Sequence, residues 1–189
     1  MTDIDALDVI VDDYIERHRP RAKRELEYFS RVLRSDEDAV ERASLAMLPN
    51  GKRHPHQRRI PRTSLEKSRR QLLGHIERLR QVTTFEELHD AIDDLIRPIH
   101  KVGELTVYDT ALRIGARFGL EPEKAYIHAG TRAGARALGF DNNRGTIELE
   151  ELPYLSRAST RGKRRTSSAS TRASSGEHGA SRSTAVAQP

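Results

Sequence analysis

The feature that most constrains this chain is the return of apolar residues at three- and four-residue intervals, segment after segment, with prolines and capping residues between the segments. Ile4, Leu7, Ile10, Val11, Tyr14 and Ile15 fall on one stripe of a helix over 4–18. Pro20 suits the opening turn of a second helix, where a missing N–H breaks no helical bond, and Leu26, Phe29, Val32 and Leu33 share its inner face up to about Arg34. Ser35 or Asp36 caps a third, running through Val40, Ala43, Leu45 and Met47 to the turn Pro49-Asn50-Gly51. Ser64 begins a helical run through Leu72, Leu73, Ile76, Leu79 and Val82. Thr83 or Thr84 caps the next, with Glu86 and Glu87 in its first turn, Leu88, Ile92, Leu95 and Ile96 facing inward, and Pro98 ending it. The pattern predicts a mainly α, compact multi-helix domain.

From Ile99 to Phe140 the sequence reads as turns and short helices, with Gly115 and Gly119 serving close packing or helix ends and Leu120-Glu121-Pro122 opening a new segment. Thr146-Ile147-Glu148-Leu149 suits a short strand or a last packed extension. After Leu155 the apolar content collapses into Ser, Thr, Arg, Gly and Ala, too little to offset the entropy of ordering. The expected organisation is a helical domain over 1–155 and a disordered, basic C-terminal tail over 156–189. There is no repeat of solenoid period.

No cysteine occurs, which removes disulfides, thiolate nucleophiles and thiolate zinc sites and permits a reducing compartment. The first twenty residues begin acidic and do not read as a signal peptide, and nowhere do 18 apolar residues run together, so a cytoplasmic location without membrane contact is expected. The formal charge of +5 is uneven: the tail holds seven Arg or Lys against Glu177, leaving 26 basic and 27 acidic residues in 1–155. Within that domain Lys52, Arg53, Arg58, Arg59, Arg62, Lys67, Arg69 and Arg70 cluster against the single acid Glu66. Such a cluster either forms a basic face for nucleic acid or pairs with acidic helices.

Two stretches carry candidate chemistry. In the loop KRHPHQRRIPR, Arg53, Gln57, Arg58 and Arg59 are donors of the kind that touch phosphates and bases. His54 and His56, taken with His75 or His89, lack the fixed helical spacing of a metal motif, so neither metal nor cofactor is expected. Further on, Ile99 to Val107 resembles the helix-hairpin-helix signature of DNA-repair proteins, whose amides at the start of the second helix bind a DNA phosphate. That resemblance implies a role for Lys101, Val102 and Gly103, although Lys101 stands where the first hairpin glycine normally does. Extended to helix-hairpin-helix DNA glycosylases, it places His128 on the family's histidine but Tyr126 on its catalytic aspartate and Leu105 near the nucleophilic lysine, which disfavours glycosylase chemistry. VGELTVYDTALRIG, YIHAGTRAGARALG and HPHQRR also look like blocks of an uncharacterised bacterial group, a resemblance covering roughly 40–155 that brings no activity with it. Members of that group continue past Leu152-Pro153 into a further helix, whereas this chain turns Ser/Arg-rich.

The run Gly130 to Arg136 lacks the Gly-Lys-Ser/Thr ending of a nucleotide loop. Tyr108, Asp109, Arg113, His128, Thr131 and Arg132 are expected instead to line one polar cleft, unless the small residues there serve only tight helix packing and Asp109 an ion pair. Three functions stay open: a non-enzymatic protein bound to DNA phosphates through the hairpin, the basic loop and the tail; an enzyme using the polar cleft; and a helical protein-interaction module. Convergence of Asp109, Arg113, His128 and Arg132 favours the second, and a positive face joining Arg58, Arg59 and the hairpin favours the first.

Overall fold

A computed structural model describes residues 12–128, 131–141 and 143–151, the side chains at 14, 18 and 149 excepted. The expected apolar stripe up to Val11 and the tail from 156 lie outside the described residues. The protein is mainly helical. Helix α1 (Arg19–Glu27) is flanked by π-turns at Tyr14–His18 and Tyr28–Val32, so one helical stretch runs from Asp12 to Val32 where the sequence suggested two. Pro20 sits in the first turn of α1, directly after a π-turn, and so ends no helix.

Helix α2 (Asp36–Ser44) begins on Ser35, whose hydroxyl accepts the Asp38 N–H at 3.1 Å. It stops short of Met47 because Ala46 turns left-handed at φ 54° and Met47 bridges to Arg53. Helix α3 (Arg62–Gly74) and the short α4 (Ile76–Arg80) meet at His75, whose φ of −118° interrupts the longer run the sequence suggested. Helix α5 (Phe85–Ile96) starts with a reciprocal cap: Thr84 Oγ1 accepts the Glu87 N–H at 3.2 Å, and Glu87 Oε2 accepts the Thr84 N–H at 3.3 Å.

Helix α6 (Glu104–Phe118) is one 15-residue helix, not the expected series of short ones. Its internal Gly115 does not break it but makes room: a Cβ there would stand 2.7 Å from the Leu120 carbonyl oxygen and 3.2 Å from Phe85 Cδ2. Gly119, at φ 75°, ends the helix, and the Leu120 N–H returns to the Gly115 carbonyl at 2.8 Å. The strands β1 (Lys124–Tyr126) and β2 (Thr146–Glu148) pair antiparallel with Ala125 opposite Ile147, and α7 (Arg132–Ala137) lies between them in sequence. Strand β2 matches the sequence expectation; three-residue β1 carries too little alternation to announce itself.

Helix α6 packs on α5, α2 and the Tyr28–Val32 turn, while α3 covers α2 and α5. Phe29, Val40, Leu72, Leu79, Phe85, Leu88, Ile92, Ile96, Val107 and Ile114 fill the space between them, none more than 1% exposed. Each such burial contributes about 1.5–3 kcal/mol against the unfolded chain. Arg117 and Arg80 both donate to Asp36, at 2.8 and 2.9 Å, tying α6 and α4 to the first turn of α2. Among the described residues no helix is long and apolar enough to cross a membrane.

Candidate functional site

The chain passes from α5 to α6 through a tight turn, and three polar features surround it. In the turn the Val102 N–H donates to the Ile99 carbonyl at 3.0 Å, and the Gly103 carbonyl accepts from Thr106 and Val107. Val102 is 6% exposed and its amide is occupied, so it is not a phosphate donor as the sequence suggested. Lys101 and Gly103 are exposed, and Lys101 adopts φ 66°, a backbone that favours glycine. Glu104, in the first turn of α6, is engaged by Arg97 at 3.4 Å and Arg132 at 3.5 Å.

Beside this turn runs a groove of about 760 Å³. Thr63, Lys67 and Gln71 on one edge of α3, with His75 just past its end, form its first wall; Asp94 and Leu95 of α5 and Pro98, Ile99 and His100 of the turn form the other. Asp94 accepts from Arg78 at 3.0 Å. Helix α3 begins four residues after Arg58, and Arg58 and Arg59 are exposed without an ion pair among the described residues. The other two residues assigned to nucleic acid from the basic loop turn inward. Arg53 donates to the Ile60 carbonyl at 3.1 Å, and Gln57 is 2% exposed, so it cannot reach a base.

Gln57 instead sits at the centre of a buried polar network. Arg113 can only donate and an ionised carboxylate can only accept, which fixes the amide. Its Oε1 accepts from Arg113 Nη1 at 3.3 Å, and its Nε2 donates to Asp109 Oδ2 at 3.1 Å. Asp109 Oδ2 also accepts from His56 Nε2 at 2.6 Å. Arg113, 4% exposed, donates Nε to Glu25 Oε1 at 2.9 Å, and Glu25 Oε2 accepts from His54 Nε2 at 3.3 Å. Burial acts to raise the Glu25 pKa, but Arg113 and His54 outweigh it and hold the carboxyl below its ordinary value. Burial first, then the Arg113 charge, lowers the His54 pKa despite Glu25, so that imidazole is neutral at pH 7.

On the other side of α6 lies a cleft of about 350 Å³, with Tyr108, Tyr126, His89 and His128 among the residues that line it. The Tyr108 and Tyr126 rings stand 5.2 Å apart and His89 is 4.5 Å from Tyr126. Burial, followed by the charges of Glu86 and Asp90, raises the Tyr126 pKa, keeping its phenol protonated. Arg97, Arg132 and Arg144 form the rim with Asp93 and Glu104. The single cleft expected from sequence is thus two places: Tyr108, His128 and Arg132 meet here, whereas Asp109 and Arg113 face the His54–Gln57 loop. Thr131 is not among the described residues that line the cleft; its hydroxyl accepts the His128 N–H at 3.0 Å.

Glu25, His54, His89, His100, Tyr126 and Arg144 join these places without having been singled out for them, and Lys67 enters from the basic cluster. One signal existed: Glu25 precedes Phe29 by four positions, a carboxylate on an otherwise apolar stripe. Comparison with family models gives no match, and comparisons with curated proteins and with solved structures give none either.

Proposed function

We propose that this protein associates with nucleic acid through phosphate contacts made along the groove between α3 and the α5–α6 turn. The observation that carries this reading is the adjacency of Lys67 on α3 and His75 just past its end with His100 on the turn, the one acid among the described lining residues being committed to Arg78. Lys101 follows His100 in the chain, and Arg58 and Arg59 stand four and three residues before α3, all three exposed; in this reading they extend the contacts beyond the groove. The helix-hairpin-helix likeness enters here as well. Lys101 holds a glycine-type backbone at the position where that motif has glycine, and the first amides of α6 have no partner within the helix. Phosphate contacts of this kind position a duplex without reading its sequence.

The test is fluorescence anisotropy of the full chain with a labelled duplex over a salt series. Lys67→Glu and Lys101→Glu should each weaken binding and lower the salt slope by about 1. Unchanged binding in both variants would end this assignment, because cations elsewhere in the chain would then supply all the affinity. A second reading, an enzyme or ligand-binding protein, is favoured by the adjacent, tilted rings of Tyr108 and Tyr126 in a cleft that Arg97, Arg132 and Arg144 also line. Its test is a screen of planar small molecules, with Tyr108→Ala abolishing any saturable binding.

A further inference from the structure

We propose that helix α1 is a nucleic-acid contact surface, its cations gripping phosphates on both sides of a duplex groove. The inference rests on the nucleic-acid reading for its partner but on different residues, so the two can fail separately. From Arg19 to Arg24 the helix carries Arg19, Arg21, Lys23 and Arg24 and no acid. All four are exposed, and no ion pair or side-chain hydrogen bond engages them among the described residues. Arginines elsewhere are committed: Arg69, Arg78, Arg80, Arg97, Arg113 and Arg117 each hold an Asp or Glu. Even Arg17, just before α1, is taken by Asp13 at 3.0 Å. Arg19 and Lys23, and likewise Arg21 and Arg24, stand one turn apart and repel. The core gains nothing in exchange, since α1 contributes no buried residue. A polyanion relieves that repulsion.

Three features select the partner. Helix positions rise about 1.5 Å each, so four charges over five steps give one per roughly 2 Å, close to the one per about 1.7 Å of duplex axis. At about 100° per residue the four fall over an arc of roughly 200°. Glu25 occupies the remaining side, where it meets Arg113 at 2.9 Å and His54 at 3.3 Å. A flat lipid surface meets only part of such an arc, whereas a major groove about 12 Å wide carries phosphates on both walls. The large apolar side chains exposed among the described residues are Ile15, Val32 and Leu138, none of them on α1, so the helix has no apolar face to insert into a bilayer. The Glu25–His54 contact also holds α1 against the loop that carries exposed Arg58 and Arg59, four and five residues after His54.

The experiment is fluorescence anisotropy of the full chain with a labelled duplex over a salt series, comparing the unaltered protein with Arg21→Gln/Lys23→Gln/Arg24→Gln. Three lost contacts should lower the salt slope by about 2–3, and the affinity at about 0.1 M salt at least tenfold. None of the three side chains is buried, so the urea midpoint should hold. Loss of binding here, with Lys67→Glu and Lys101→Glu unchanged, keeps α1 and removes the groove; the reverse pattern removes α1 and keeps the groove. Should the triple variant lose binding to phosphatidylserine vesicles while holding the duplex as before, α1 faces a membrane and the proposal is overturned. Spectra of the unaltered, isotope-labelled chain decide the matter even if the variant fails to fold. The backbone amides from Arg21 to Arg24 should move on addition of duplex, and their staying in place overturns the proposal.

Discussion

Replacing Arg113 by Met tests the buried network most severely. The guanidinium is 4% exposed and donates to both Glu25 and Gln57, so its loss leaves two acceptors without their donor. Breaking a fully buried ion pair by removing one partner destabilises by about 3–5 kcal/mol. The Glu25 side chain keeps 19% of its surface, and water recovers part of its loss. The Gln57 oxygen is closed off, and its unmade hydrogen bond alone destabilises by about 1–3 kcal/mol. Together these give roughly 3 kcal/mol, or a fall in Tm of about 6–12 °C for a chain of this size. Urea unfolding followed by circular dichroism measures it directly. In a double-mutant cycle, Glu25→Gln added to Arg113→Met should be less than additive by at least about 1 kcal/mol. A loss under about 0.5 kcal/mol for Arg113→Met would refute the claim that this network holds the His54–Gln57 loop on α6.

Four further outcomes follow from the same geometry. Gly115→Ala drives a Cβ to 2.7 Å from a backbone oxygen, so it should destabilise by about 1–3 kcal/mol in the same assay. Leu72→Ala, at a fully buried position, should remove about 2–5 kcal/mol, with collapse of the cavity setting where in that range it falls. Lys101→Gly relieves a left-handed backbone at φ 66° and should stabilise by up to about 1 kcal/mol while weakening DNA binding, a pair of effects that no general loss of structure produces. Acid should act in two stages. Because the folded His54 pKa is lowered, the unfolded chain takes up a proton first and stability declines as pH falls below its ordinary value of 6.5. The Glu25 pKa is also lowered, so the stability its ionised form contributes is present above its ordinary value of 4.5 and is lost below it. Urea midpoints measured from pH 8 to 4 should show both declines, and the first should be absent in His54→Gln.

Helix content was legible in the sequence wherever periodicity met a local stop signal. Ser35 and Thr84 cap α2 and α5, and Gly119 ends α6, each through a bond or dihedral that involves only neighbouring residues. Breaks set by tertiary fit were not legible. The break between α3 and α4 falls at Gly74-His75, a local signal that the apolar run from Leu72 to Val82 overrides in the sequence reading, and Gly115 reads as either close packing or a helix end until Leu120 and Phe85 are seen against it. The candidate sites divide in the same way. The placing of Lys101 and Gly103 in an exposed turn is legible because a turn motif is contiguous. In the sequence Gln57 reads as a base-contacting donor because its partners Asp109 and Arg113 lie 52 and 56 residues away. Tyr108 and Asp109, adjacent in sequence, serve different places because successive helix positions differ by about 100° in direction.

The nucleic-acid proposal is tested most directly by titrating the isotope-labelled full chain with a short DNA duplex and recording backbone amide shifts. Lys67, His75 and His100 should move together with Lys101 and Gly103, and the movement should fade as salt is raised. Shifts confined to residues 156–189, with the groove residues unmoved, would contradict the assignment.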